Sequence, residues 1–255
     1  MKIIVSKGWE GFADRLQCLS YCVLIAKRFN RMIYVDWNDT IWDEGFQKYF
    51  YFTDLPQVVK LSKIPKQKMA DVYPAWWRHK LVLPANEWVY DIKDQLEFKP
   101  AEGNHFEDIW VHSGIGYREW NVAELCKHLR LQDEVKDQIP LVKFDLPLVH
   151  LRGTDRKHTE EQWEALRKKA PVAAVISDDA TLVERWMNES PDSKLLSKPV
   201  KGYTHKMLTS KHKSNIALLT EFMALSEAPE AYALNEESLF FKMARITNAK
   251  MWREE

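Results

Sequence analysis

The chain has 255 residues, 45% of them hydrophobic and 29% charged, with 37 basic against 37 acidic side chains and a formal net charge of zero. This is an ordinary globular composition, with enough residues for one large α/β domain or two small ones. It excludes a global field that would recruit nucleic acid or anionic lipid, so any phosphate binding must be local to particular arginines, and no stretch approaches the roughly 18 apolar residues of a membrane span.

The opening Met1-Lys2-Ile3-Ile4-Val5 shows neither the apolar core nor the cleavage site of a secretory signal. It reads as a buried first strand, and the expectation is a cytoplasmic protein. A loop punctuated by Gly8 and Gly11 follows, then a helix with Leu16, Leu19, Val23, Ala26 and Phe29 on one face, then a second apolar run from Met32 to Trp37. Strand, helix, strand makes a βαβ unit and implies a parallel sheet with a right-handed crossover. The cysteines, Cys18, Cys22 and Cys126, are odd in number, and two of them sit at small apolar positions of this helix, which argues against a disulfide framework or a zinc site.

From Asn38 to Asp145 the pattern blurs, cut by Pro56, Pro65, Pro74, Pro84 and Pro100, and little regular sheet can be assigned. Asn121 to Gln138 reads as one helix carrying Val122, Leu125, Leu129 and Val135 and ending before Pro140. Of the 11 tryptophans, Trp76, Trp77, Trp88, Trp110 and Trp120 fall in the middle of the first half; they read first as core filling for a loop-rich domain, although aromatic faces also bind sugar rings. A boundary near Ile139 to Asp145 divides the chain into 1–140 and 141–255.

The second half restarts the α/β rhythm. Leu146 to Leu151 reads as a strand, Glu161 to Lys169 as a helix, Val172 to Ile176 as a strand and Thr181 to Asn188 as a helix. After a polar stretch from Lys194 to Lys213, Ile216, Leu219, Phe222 and Met223 mark another helix, Ala231 to Leu234 a short strand, and Ser238 to Ile246 a last helix. The sharpest motif is Val149-His150-Leu151-Arg152-Gly153-Thr154-Asp155, at the carboxyl end of the first of these strands. In open parallel sheets that end faces the ligand crevice. Alternation puts His150 and Arg152 on one side, where an imidazole and a guanidinium fork can share a diphosphate, while Gly153 lets a ligand approach the backbone. The competing reading is a surface Arg152–Asp155 ion pair beside a core histidine. Asp178 and Asp179, at the next strand end, can coordinate magnesium or cap the following helix.

The order of these pieces resembles the fucosyltransferase superfamily of the α1,6-fucosyltransferases. Gly11-Phe12-Ala13-Asp14-Arg15-Leu16-Gln17 is similar to its first glycine loop and helix, His150-Leu151-Arg152-Gly153-Thr154-Asp155 to its His-x-Arg-x-x-Asp signature, and Ile176-Ser177-Asp178-Asp179 to its second strand end. Leu218 to Ser226 with Ser238 is similar to its closing helix, strand and serine. The resemblance implies a GT-B-like α/β fold of two Rossmann-like halves with parallel sheets facing across a cleft, the first on the acceptor side and the second binding the nucleotide sugar. It implies inverting transfer from GDP-fucose to a glycan hydroxyl, with no metal. By the same resemblance Arg152 holds the β-phosphate with His150 beside it, Asp155 braces the loop, Glu221 takes guanine and Ser238 a phosphate. Glu160 falls where these enzymes carry the carboxylate assigned as base, with Asp155 the fallback, and Gly11 and Asp178 join the donor-binding set. Two departures stand out: Gly153 replaces a second arginine, and Glu221 an aspartate. The rival from another class is a non-catalytic sugar- or nucleotide-binding module.

Overall fold

The computed structural model describes residues 2–9, 11–38, 42–57, 71–78, 81, 107–113, 122–153, 157–197 and 210–254. Asp155 lies outside the described residues, as do Trp88 and Trp120. The chain forms two compact units, Met1–Gln132 with Met251–Glu255, and Asp133–Lys250. The first unit therefore ends ahead of the Ile139 to Asp145 stretch, and it takes back the last five residues, for which the sequence carried no signal.

The first unit runs β1 (Ile3–Ser6), α1 (Phe12–Phe29), β2 (Met32–Val35), β3 (Phe50–Phe52), β4 (Val72–Tyr73), β5 (Ile109–His112), α2 (Val122–His128) and β6 (Leu129–Leu131). Four strands form a parallel sheet in the order β2-β1-β5-β4. β1 and β5 are buried along their whole length, as central strands of a parallel sheet are. Gly8 lets the β1–α1 loop cross the helix, because a Cβ there would stand 3.0 Å from Arg15 Cα; the buried Arg15 donates to the Gly8 carbonyl at 3.1 Å. α1 closes on Asn30 at φ 49°, a left-handed cap that asparagine accepts.

Two expectations fail here. The blurred stretch does hold sheet, since β5 pairs with both β1 and β4. The single helix over 121–138 is instead α2, then β6, then a short helix α3 (Asp133–Lys136). Leu129 and Leu131 fit a helical stripe, yet with Arg130 between them they also fit the period of a strand. Pairing with β3, Leu129 to Phe52 and Leu131 to Phe50, decides the matter and buries both leucines completely. Around β3 an aromatic cluster forms from Phe12, Trp37, Trp42, Phe46 and Phe50. Trp252, from the returning terminal segment, meets Phe50 edge-on at 5.6 Å.

The second unit begins with α3 and continues with β7 (Leu148–Leu151), α4 (Glu160–Lys169), β8 (Ala174–Ser177), α5 (Ala180–Glu189), β9 (Lys194–Leu195), α6 (Lys211–Glu227), β10 (Ala231–Ala233) and α7 (Leu239–Ile246). The strand and helix alternation matches the sequence reading to within a few residues, except for β9, which lies in the stretch read only as polar. The sheet is parallel, in the order β10-β7-β8-β9. Val149, Leu151 and Val175 point to one face and pack with Trp163 and Leu166 of α4 and Leu182, Val183 and Trp186 of α5. Strand alternation turns His150 to the other face, against Phe240 and Phe241 of α7. Phe240 in turn meets Phe222 of α6.

Candidate active site

The carboxyl ends of β7 and β8 lie side by side, with Leu151 opposite Ser177. Ser177 Oγ fastens the two turns, donating to the Leu151 carbonyl at 2.7 Å and accepting from the Asp179 N–H at 3.0 Å. Beyond them Arg152 Nε reaches Asp178 Oδ2 at 3.4 Å, and the Gly153 N–H donates to Asp178 Oδ1 at 2.9 Å. One carboxylate thus holds both the arginine and the backbone that follows it. The Arg152 side chain stays 28% exposed.

The two aspartates divide their work. Asp179 caps α5, accepting from the N–H groups of Thr181 at 2.8 Å and Leu182 at 3.3 Å, while Asp178 serves the strand end. Among the described residues no group of three His, Cys, Asp or Glu is arranged to hold a metal ion.

His150 is 4% exposed, and burial lowers its pKa to about 4, with the positive charge of Arg152 acting in the same direction and Asp178 opposing it. The ring is therefore neutral at pH 7. Its Nδ1 is buried without a hydrogen-bond partner, and the ring lies parallel to Phe241 with centroids 6.2 Å apart.

Glu221, on α6, accepts a hydrogen bond from the Ser197 hydroxyl. Loss of water pushes its carboxyl up to about 7, helped by the negative charge of Asp178. His150, Arg152, Asp178 and Glu221 thus form one electrostatic neighbourhood. Ser238 stands at the N-cap of α7, buried, with its side chain making no cap hydrogen bond. The first turn of that helix consequently lacks a side-chain acceptor from its cap residue.

One expectation fails at Gly153, while Glu160 and Gly11 each stand at a helix start. Gly153 does not open a path for a ligand: a Cβ there would stand 2.5 Å from Asp179 Oδ2 and 2.7 Å from Leu182 Cδ1. The start of α5 fills that space, so the glycine serves close packing and leaves no room for a larger side chain. Glu160 opens α4, 70% exposed, and both its oxygens accept from Arg185 of α5, at 2.8 and 2.5 Å. Gly11 belongs to the first unit, at the N-cap of α1. A cavity of about 390 Å³ lined by Leu166, Lys169, Tyr232 and Asn235 opens on the α4 face of the sheet, the face opposite His150. Ser197, Phe241 and Arg185 escaped the sequence reading, because a serine in a polar stretch, an apolar helix residue and a helix-surface charge carry no local signal.

No family model matches the sequence, and no curated protein matches it. Solved structures do. NodZ α-1,6-fucosyltransferase co-crystallised with GDP superposes with a TM-score of 0.69 at 16% identity, over 96% of this chain and 91% of that one. The same enzyme soaked with GDP-fucose gives 0.68 at 15%, over 96% and 92%, and fucosyltransferase NodZ from Bradyrhizobium gives 0.68 at 16%, over 96% and 92%. The chain has the fold of these fucosyltransferases. At such identity the likeness speaks for the fold, an α/β architecture with parallel sheets, and leaves the chemistry to the residues. No described helix is long and apolar enough to cross a membrane.

Proposed function

We propose that this protein is a fucosyltransferase-like glycosyltransferase of GT-B type that transfers fucose from GDP-fucose to a glycan hydroxyl with inversion. The observation that carries the reading is the cluster of Arg152, His150 and Asp178 at the carboxyl ends of adjacent parallel strands, where ligands of open α/β sheets bind. The fold likeness to enzymes crystallised with GDP and GDP-fucose supports the choice of donor.

In this reading the Arg152 fork takes the β-phosphate, and Asp178 orients the fork from behind. The orphaned Nδ1 of His150, when it carries the ring proton, donates to the same phosphate. As the bond between the sugar C1 and the phosphate oxygen breaks, its electron pair goes to the diphosphate, and the growing charge makes these donors worth more in the transition state than before it. The N–H groups opening α7, with Ser238, suit another phosphate oxygen. Glu221 accepts the two donors of the guanine edge, Glu160 takes the acceptor proton with Asp155 the alternative, and Gly11 belongs to the donor-binding set. No metal takes part.

The deciding experiment measures donor binding and transfer on the same samples. Wild type is expected to bind GDP with and without EDTA and to transfer fucose. Arg152→Lys, which keeps charge but loses the fork, and Arg152→Ala are both expected to lose on the order of a hundredfold in kcat with melting temperature retained. A folded, fully active Arg152→Ala protein overturns the assignment. Loss of GDP binding in EDTA overturns metal independence, and GDP binding without transfer to any acceptor favours the non-catalytic module.

A further inference from the structure

We infer that Arg185 is the positioning residue of the general base, fixing the Glu160 carboxylate from the neighbouring helix through both of its oxygens. The inference rests on the reading of Glu160 as base given above. Arg185 Nη1 donates to Glu160 Oε1 at 2.8 Å and Nη2 to Oε2 at 2.5 Å, a fork-to-fork pair that sets the plane of the carboxylate as well as its place.

A pair this exposed is ordinarily loose and contributes little. This one is built differently. The Arg185 guanidinium lies over the ring of Trp163 at 4.3 Å, and that ring is fully buried. Its Nε donates to Glu189 Oε1 at 2.9 Å, while Glu189 Oε2 accepts from Trp163 Nε1 at 2.9 Å and pairs with Arg167 at 2.9 Å. The arginine is thus held against an immobile aromatic face and tied along its edge to a carboxylate that is itself tied to that aromatic. A fork fixed in this way costs little further side-chain entropy when it binds Glu160.

Glu160 leads the first turn of α4, behind a capping box in which Thr159 Oγ1 accepts from the Gln162 N–H at 3.2 Å and Gln162 Oε1 from the Thr159 N–H at 2.9 Å. Backbone and side chain of the base are therefore each fixed, the first by the cap and the second by Arg185. Among the described residues, the charged groups acting on the carboxylate are Arg185 from α5 and His158 from the turn before α4. Both favour its ionised form and hold it below the usual carboxylate range, Arg185 through hydrogen bonds foremost. The step served is one proton transfer. As the acceptor oxygen bonds to C1 of the sugar and the diphosphate departs with the electron pair of the broken bond, the hydroxyl proton passes to Glu160.

The test compares wild type, Arg185→Ala, Arg185→Lys, Glu160→Gln and Arg185→Ala with Glu160→Gln. It reads kcat and KM across pH, GDP affinity by calorimetry, and the Glu160 carboxyl titration by NMR. Arg185→Ala is expected to lower kcat about tenfold and to move both the acidic limb of kcat and the NMR titration upward, with KM and GDP affinity unchanged. Arg185→Lys should restore the limb but not the full kcat, since it supplies charge without the fork. In the Glu160→Gln background Arg185→Ala should cost nothing further. An unshifted limb and titration in a folded Arg185→Ala protein, or an equal loss in the Glu160→Gln background, overturns the positioning role while leaving the base in place. A fully active Glu160→Gln protein, or wild type that binds GDP and never transfers, overturns the base reading itself and the role of Arg185 with it.

Discussion

Gly153 shows how tightly the strand end is built. Its missing side chain is what lets the turn after β7 sit against Asp179 and Leu182, with a Cβ contact of 2.5 Å in the way of any other residue. Gly153→Ala must push Asp179 off the cap of α5 or move the turn that carries Arg152. We expect a loss of about 1–3 kcal/mol, as for overpacking elsewhere, with weakened GDP binding, read by urea unfolding and calorimetry. Glu221 sets a pH dependence at the same scale. Its carboxyl titrates at about 7 in the folded protein against an ordinary 4.5, and only the ionised form accepts the guanine donors without offering a proton back. GDP affinity is therefore expected to rise with pH up to about 7 and to fall about tenfold per unit below it, a dependence absent in Glu221→Gln. Folding runs the other way: the folded state holds this proton more tightly than the unfolded chain, so the Glu221 contribution favours folding at low pH and is lost as pH rises from 4.5 toward 7. A flat GDP affinity from about pH 5.5 to about pH 8, on both sides of the transition, would remove Glu221 from the nucleotide site.

At the scale of elements, two helices of the second unit, α4 and α5, owe their start points to side-chain caps. α4 and α5 each have ten residues, close to the length at which an isolated helix is marginal. Thr159 and Asp179 supply the missing acceptors, and Trp163 and Trp186 anchor the two helices against each other, edge to face at 5.5 Å. Thr159→Ala removes half of the capping box, with an expected cost of about 1 kcal/mol. Since Glu160 is the next residue, fraying there should lower kcat more than it lowers GDP affinity. Equal losses in both would place the α4 start outside the chemistry.

At the scale of the whole molecule, the chain visits the first unit twice, and the second visit is held by Trp252, fully buried beside Phe12 and Phe50. Trp252→Ala should destabilise by about 3–5 kcal/mol, as large aromatic truncations in cores do. The loss belongs to the aromatic cluster of the first unit, so GDP binding to the second unit's cluster should survive at temperatures where the variant stays folded. Calorimetric unfolding of the variant, with and without GDP, checks both expectations.

The sequence by itself determined the local alternation and the chemical character of the strand end. The βαβ opening, the parallel second unit and the placement of His150, Arg152 and Asp178 at the carboxyl ends of β7 and β8 all followed from period, turn residues and residue type, which act within a few positions of the chain. What tertiary structure decided was every choice between two locally acceptable answers. Leu129 and Leu131 suit helix and strand alike until β3 pairs with them. Asp178 and Asp179 are alike in sequence, and only the geometry of two adjacent turns makes one a brace and the other a cap. Glu160 reads as any acidic helix start, and Gly153 as any flexible turn, until α5 brings Arg185 to one and Asp179 to the other. Burial and long-range contact lie outside the reach of local pattern, because they depend on which distant segment arrives.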